Sequence, residues 1–493
     1  MFKINIDKNI YISLNKVFLY LILYGITLSL GYFLKSGIGI VAFFIFIFLL
    51  FSKDKDSLIL FIIFWLYVYN FFIGQGWVSN ELISKYLIKG ELYVIIAFFV
   101  LVRKSWFRSN FNKKLFNWAI IFLLIILLSD VLHFNFNLNF INQIYFIFVF
   151  FLILYLPKKK SFENNLFNLI IAIGLLEVIV SFLQVSQMIA PPIKIIESYT
   201  YSYLSEVSLL DAASGTFGAE VSNVTSWFET ILFLTFFSFG VYKKNLIIVY
   251  FSFIFMLQYA TIDSKTAIGV SALTFIFLLY QLKIFNVFKI KNLIYVIFII
   301  SFIFVSKSLM TSYYENMSRK GIHGPVAMVS NSVDIVFTNW QDWGKIAGFK
   351  NITEDYMKKN PLFLLIGYGR ENFNYFNNSG RIEDMDTPIM QLNNITRSRS
   401  SFISAYGTLG IPGLFMLIWL FVILFKSLRK QNFNTVLGNS FKQSGNAILF
   451  GSMIFMFLYG GHTYNDLAFL LFFILYALVL RIENNYSKSQ FLT

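Results

Sequence analysis

Cysteine is absent from the 493 residues, and histidine occurs only three times. The first absence excludes disulfide frameworks, thiolate zinc sites, iron–sulfur clusters and cysteine nucleophiles. The second leaves little room for a histidine-rich catalytic metal site. Charge is scarce too: Asp, Glu, Lys and Arg make up 13% of the chain, against about 25% in soluble domains. What fills the space is apolar, with 57% hydrophobic and 20% aromatic residues and a mean hydropathy of +0.68. The length would accommodate about three soluble domains, but this composition is that of an integral membrane protein. The net charge of +15 therefore has to be tested as a topology signal before it is taken as a nucleic-acid footprint.

A bilayer requires apolar runs of roughly 17 to 25 residues. Read between polar breaks, the chain predicts an all-α polytopic protein of fourteen transmembrane helices, near 17–34, 38–51, 57–73, 88–102, 115–132, 139–156, 165–190, 221–242, 246–262, 266–282, 293–306, 401–425, 446–462 and 465–480. The first run follows Lys3, Lys8 and Lys16 as a signal peptide would, but it is long, lacks a small-residue cleavage site and leads into further spans, so it is expected to be retained. With the N-terminus inside, the cytoplasmic segments hold 24 Lys and Arg against 5 in the short outer segments. Long loops are left out of the positive-inside rule, so this contrast sets the orientation and predicts both termini in the cytoplasm. Most of the basic charge is then topological, and no nucleic-acid partner is expected.

Three regions follow from this division: helices 1 to 11 over 1–306, a large outer loop over 307–400, and helices 12 to 14 with the C-terminal segment over 401–493. The loop is 94 residues long and too polar to span. Its aromatics, Trp340, Trp343, Phe349, Phe363, Phe373 and Tyr375, favour a folded extracytoplasmic subdomain. A second outer segment, 191–220, opens with Pro191-Pro192. No inverted pair of Gly- or Pro-broken spans is visible, which speaks against common secondary-transporter designs.

Unusual residues concentrate at the predicted outer face. Arg397-Ser398-Arg399-Ser400-Ser401 closes the large loop and leads into Gly407-Thr408-Leu409-Gly410-Ile411-Pro412-Gly413. Two guanidinium forks beside hydroxyls suit a diphosphate clamp, although arginines there could also snorkel to lipid head groups. Lys265, in Asp263-Ser264-Lys265-Thr266-Ala267, breaks the positive-inside pattern from a very short outer turn, which implies either retention for a task or simple pairing with Asp263. Gly367-Tyr368-Gly369-Arg370 offers glycines for close backbone approach and a further arginine, as a glycine turn with a solvated arginine would.

Acidic residues inside spans cost roughly 2.5 to 3.5 kcal/mol at a helix centre, so each needs a reason. At 1.5 Å per residue Glu177 lies about 18 Å into its span and Glu229 about 12 Å below the outer surface, with Glu220 and Asp211 at or above it. A buried carboxyl group suits a general base waiting for a sugar hydroxyl, and equally a neutral acid bonded to a neighbouring helix; for Glu177 the second reading is favoured. His462 and Asp466 are four apart and would share a helical face as a base and its orienting carboxylate. The span placement puts a turn there instead, where Asp466 would cap a helix. Asp384-Met385-Asp386 has the form of a nucleotide-sugar metal motif but is too short to separate from chance, so no metal is assigned.

The arrangement resembles the Wzy-type polysaccharide polymerase and O-antigen ligase superfamily of bacterial inner membranes over about 165–480. Gly215-Thr216-Phe217-Gly218-Ala219-Glu220-Val221-Ser222-Asn223 is similar to the family's Gly-containing segment entering a span. Ser264-Lys265-Thr266-Ala267 resembles its short outer turn, Gly367-Tyr368-Gly369 its Gly-x-Gly, and Ser401 to Gly413 its return into the membrane. The chain departs from the pattern in three places. Arg397-Ser398-Arg399-Ser400 stands where ligases carry His-Asn, lysine replaces the arginine expected after Ser264, and no arginine precedes Gly215. These departures favour polymerase over ligase.

The resemblance implies glycosyl transfer at the outer face, from a growing glycan on undecaprenyl diphosphate to a lipid-linked repeat unit, with a chain-length regulator protein and membrane lipids as partners and no cofactor. On that reading Arg397, Arg399, Lys265 and Arg370 bind the diphosphates, and Glu220, Glu229 or His462 takes the acceptor proton. A ligase acting on lipid A core and a flippase for lipid-linked oligosaccharide are the rival expectations. A dolichol-type mannosyltransferase would need acidic residues in the first outer loop, which is only Lys35-Ser36-Gly37.

Overall fold

The computed structural model describes residues 3–5, 11–35, 37–74, 77, 87–133, 143–156, 161–185, 222–260, 265–283, 352–354, 356–358, 360–369, 401–458 and 466–490. A small antiparallel ribbon, β1 (Lys3–Asn5) and β2 (Tyr11–Ser13), precedes the helices. These are α1 (Leu14–Leu34), α2 (Gly37–Phe51), α3 (Lys55–Gly74), α4 (Gly90–Leu101), α5 (Asn110–Leu132), α6 (Tyr145–Tyr155) and α7 (Phe162–Val185). They continue with α8 (Ser222–Lys243), α9 (Leu246–Met256), α10 (Lys265–Gln281), the single turn α11 (Phe363–Ile366), α12 (Ser401–Lys430), α13 (Val436–Leu458) and α14 (Leu467–Gln490).

Seven of these helices, α1, α3, α5, α7, α8, α12 and α14, are long and apolar enough to cross a membrane, and five shorter ones are apolar. Their outward surface is itself apolar: Phe33, Phe48 and Phe99 are 78%, 73% and 67% exposed. Water would penalise such a surface and a lipid phase would not. The described chain is thus an all-α membrane-protein fold carrying one short ribbon.

Polar residues mark the helix starts. Ser109 accepts the Asn112 amide at 3.1 Å, Asn245 accepts those of Ile247 and Ile248, and Asp466 accepts that of Phe469 at 2.7 Å, each satisfying donors that the first turn leaves open. Asp466 is therefore the cap of α14, as the turn between the last two spans implies. Lys244 makes the sharp α8–α9 turn with φ 56°.

The helices run alternately up and down. At the near end, where α1 begins, Arg481 of α14 pairs with Glu163 of α7 at 2.6 Å, and the Asn168 side chain of α7 accepts the Ser13 amide at 2.8 Å. At the far end Gln258 donates to Ser181 at 2.6 Å, and the Tyr67 hydroxyl donates to the Leu467 carbonyl at 3.1 Å. Helices α8 and α14 form the centre. Every apolar side chain from Leu467 to Leu480 is buried, with α14 packed on α6, α8 and α13. Helices α1 and α2 lie at one edge, against α7 and α3.

Thirteen of the fourteen expected segments fall on described helices, and 293–306 lies outside the described residues. Several boundaries are corrected: α5 starts at Asn110 rather than near 115, α12 runs to Lys430 rather than 425, and α14 to Gln490 rather than 480. Helix α13 begins at Val436 rather than near 446, shortening the link from α12 to 431–435. The added turns are polar by composition but not by environment. Ser440 and Ser444 are buried and return their hydroxyls to backbone carbonyls, Lys442 reaches the Gln431 carbonyl at 2.9 Å, and Glu483 accepts the Asn434 and Thr435 amides at 2.9 Å.

Candidate functional site

Two polar features lie at the far end of the bundle. The first is a break in α12. Gly410 adopts φ 69° and ψ −158° within the helix, and Pro412 follows. Proline has no amide to donate four residues back, so the Thr408 carbonyl loses its intrahelical partner, and the turn at Gly410 disturbs the bonds of Tyr406 and Gly407 in the same way. All three carbonyls are taken over by residues between Tyr356 and Gly369. The Tyr368 amide donates to Gly407 at 2.9 Å and the Gly369 amide to Thr408 at 3.1 Å. The Tyr356 hydroxyl donates to Tyr406 at 2.9 Å and to Gly407 at 2.8 Å.

Close approach explains the glycines of this joint. A Cβ on Gly367 would overlap the Thr408 backbone, one on Gly410 would overlap the Leu364 carbonyl, and both residues have positive φ. Around them Ile352, Tyr356, Tyr368, Ile403 and Tyr406 form a separate small apolar cluster. The Gly-x-Gly segment and the Gly-rich return segment, 38 residues apart between Gly369 and Gly407, are thus two halves of one contact.

Helix α5 closes this joint from beneath. The Ser129 hydroxyl donates to the Ile366 carbonyl at 3.0 Å. His133, the C-cap of α5, holds its Nδ1 2.8 Å from the Ser129 carbonyl, which can only accept, so Nδ1 donates in this contact. Nε2 is buried and has no hydrogen-bond partner among the described residues. The imidazole stacks on Phe363 and fills the space that a Cβ on Gly369 would need.

The second feature is a chain of buried acids and hydroxyls across the bundle. Tyr69 of α3 bonds Glu91 of α4, and Tyr145 of α6 lies within electrostatic reach of Glu91, Tyr67 and Asp466. Tyr67 senses Asp466 and Glu177, and Glu177 of α7 neighbours Glu229 of α8. Glu229 is fully buried, and neither carboxyl oxygen has a hydrogen-bond partner among the described residues. Beside it the Thr230 hydroxyl meets those of Tyr259, at 2.5 Å, and Ser271, at 2.8 Å. A carboxyl group so placed lacks hydrogen-bond partners among the described residues, and a hydroxyl brought in by a substrate would supply one.

Of the residues expected to form the site, Glu229 is placed in full. Lys265 is the first residue of α10, about 9 Å along the axis from Ser271, with its side chain outside the described residues. Glu220, His462, Arg370, Arg397 and Arg399 also lie outside them. Arg370 follows directly on Gly369, and Arg399 precedes Ser401 by two. The pairing of His462 with Asp466 as base and orienter meets a competing observation, because Asp466 spends one carboxyl oxygen on capping α14. His133, Tyr67, Tyr145 and Glu91 had no sequence signal as a group, being scattered over four helices. A histidine at the end of an apolar run was the one visible hint.

No family model matches the chain, and no curated protein matches it.

Proposed function

We propose that this chain is a glycosyltransferase acting at the outer face of the bacterial inner membrane, polymerising oligosaccharide repeat units carried on undecaprenyl diphosphate into O-antigen or a related surface polysaccharide. Fourteen crossings with both termini in the cytoplasm are part of this reading. The near end, which carries Arg103, Lys104, Lys113, Lys114, Arg429 and Lys430, then faces the cytoplasm, and the far end faces the bacterial periplasm.

The observation that carries the reading is the joint between Gly367-Tyr368-Gly369 and the broken α12. The two segments that most resemble the polymerase family serve each other structurally, at the end where Glu229 and His133 keep polar atoms with no hydrogen-bond partner among the described residues. In the reaction the acceptor hydroxyl oxygen bonds to the donor's anomeric carbon as that carbon's bond to the diphosphate breaks. The electron pair leaves on the diphosphate oxygen, and the hydroxyl proton passes to a base. Arg370, Arg397, Arg399 and Lys265 neutralise the departing diphosphate. Glu229 or His133, in place of or beside Glu220 and His462, takes the proton.

A flippase or other transporter is the second reading, favoured by the neighbouring Glu177 and Glu229 carboxyls deep between α7 and α8, a placement that suits coupling to protons. Deleting the gene in its host and running parallel gels of surface polysaccharide and lipid-linked glycan separates the possibilities. Loss of the length ladder, with single repeat units still reaching the surface, is expected. Full-length polymer stranded on the carrier would mean a ligase, and single units trapped on the cytoplasmic face a flippase.

A further inference from the structure

Helices α5 and α12 pack side by side and antiparallel, joined where the Trp118 indole donates to the Met416 carbonyl at 2.7 Å. Each carries one exposed stripe along its length. On α12 it runs through Ile411, Phe415, Ile418 and Val422, then changes character at Lys426 and Arg429. On α5 it runs back through Leu128, Leu124 and Ile121 to Asn117, then to Lys114 and Lys113. At 3.6 residues per turn, counting outward from the Trp118–Met416 contact puts both stripes on the same side of the pair. Both basic ends therefore lie towards the near end, with Lys426 about 9 Å nearer to it than Lys114.

The turn before α5 adds Arg103, Lys104 and Arg108, all exposed, and Lys430 extends the other stripe. No acidic residue occurs in 102–114 or in 425–431. Among the described residues none of the eight cations has an ion-pair partner, whereas Arg481, at the same end, is matched by Glu163. Unneutralised charge of one sign directly below an apolar surface attracts an amphiphile of the opposite sign.

We propose that this face is a binding site for an anionic phospholipid. Its phosphate head group sits among Lys113, Lys114, Lys426 and Arg429, and its acyl chains lie over Phe415, Ile418, Leu124 and Leu128. The proposal rests on the near end facing a lipid leaflet and is independent of the catalytic reading.

Native mass spectrometry of the purified chain, titrated with phosphatidylglycerol or with phosphatidylethanolamine, tests it. Phosphatidylglycerol is expected to stay bound at concentrations at which the zwitterionic lipid does not. Replacing Lys426→Gln with Arg429→Gln, or Lys113→Gln with Lys114→Gln, is expected to weaken retention about tenfold or more. The charge-keeping pair Lys426→Arg with Arg429→Lys should bind as the parent does, which separates loss of charge from loss of fold. Lys244→Gln with Lys283→Gln, cations of the same end but on other helices, should leave retention unchanged. Equal retention of the two lipids, or equal losses from the Lys244 and Lys283 control, would overturn the site.

Discussion

The Gly369 amide donates to the Thr408 carbonyl at 3.1 Å, taking a place that an amide at position 412 would hold in an unbroken helix and that Pro412 cannot fill. A residue that disrupts α12 from within thus creates the acceptor by which the large loop is tied down. The same trade recurs one residue earlier, where Gly407 accepts from both Tyr368 and Tyr356.

Pro412→Ala restores the missing donor and sets it in competition with Gly369. Loosening of the 360–369 segment is expected, read as faster limited proteolysis there, while helix content by circular dichroism stays the same. Gly410→Ala acts differently, since it places a Cβ against the Leu364 carbonyl at a positive φ. It should cost about 1–3 kcal/mol, visible as a lower unfolding temperature in detergent.

Glu229→Gln and His133→Gln test which acceptor serves the chemistry. Each keeps size and polarity and removes the basic atom, so whichever residue acts as base should lose roughly 10² to 10⁴ in polymer formation, with membrane abundance unchanged. A ladder of normal length and intensity from both variants would eliminate the two residues together.

Arg397→Ala and Arg399→Ala should each abolish chain extension without lowering the amount of protein in the membrane, because losing one preorganised charge costs roughly 10² to 10³ in rate. Normal polymer from both variants would sink the clamp. Lysine at either position keeps charge but not the bidentate fork, and partial activity is the expected result.

Glu483 joins α14 to the start of α13 by accepting the Asn434 and Thr435 amides and the Thr435 hydroxyl. Glu483→Ala leaves those donors open in a buried place and should destabilise the protein by about 1–3 kcal/mol. Thermal unfolding in detergent reads that loss, and it should appear even where glycan synthesis is not measured.

Hydropathy carried the helices well because a bilayer selects on the same property that hydropathy counts. Where polarity and burial part company, the reading failed. Helix α13 starts ten residues before its apolar run, since Ser440 and Ser444 satisfy themselves on their own backbone. The glycines of 367–369 were legible as close-approach positions, yet nothing in the chain named Thr408 and Gly407 as what they approach. Long-range polar partners were the least accessible. Tyr67 and Leu467 meet across 400 positions, and no spacing rule links residues that only the packing of α3 against the start of α14 brings together.

Helix α14 is among the most deeply enclosed elements, with every apolar side chain from Leu467 to Leu480 buried, and is also the last described one to leave the ribosome. Helices α6, α8 and α13 must therefore wait in the bilayer around a slot that lipid fills for the time being. Until Leu467 arrives, the Tyr67 hydroxyl has no carbonyl to reach, and Glu163 lacks Arg481. Assembly of this molecule is thus closed by a keystone, and synthesis interrupted before it would leave inserted helices that membrane proteases can recognise by their gap.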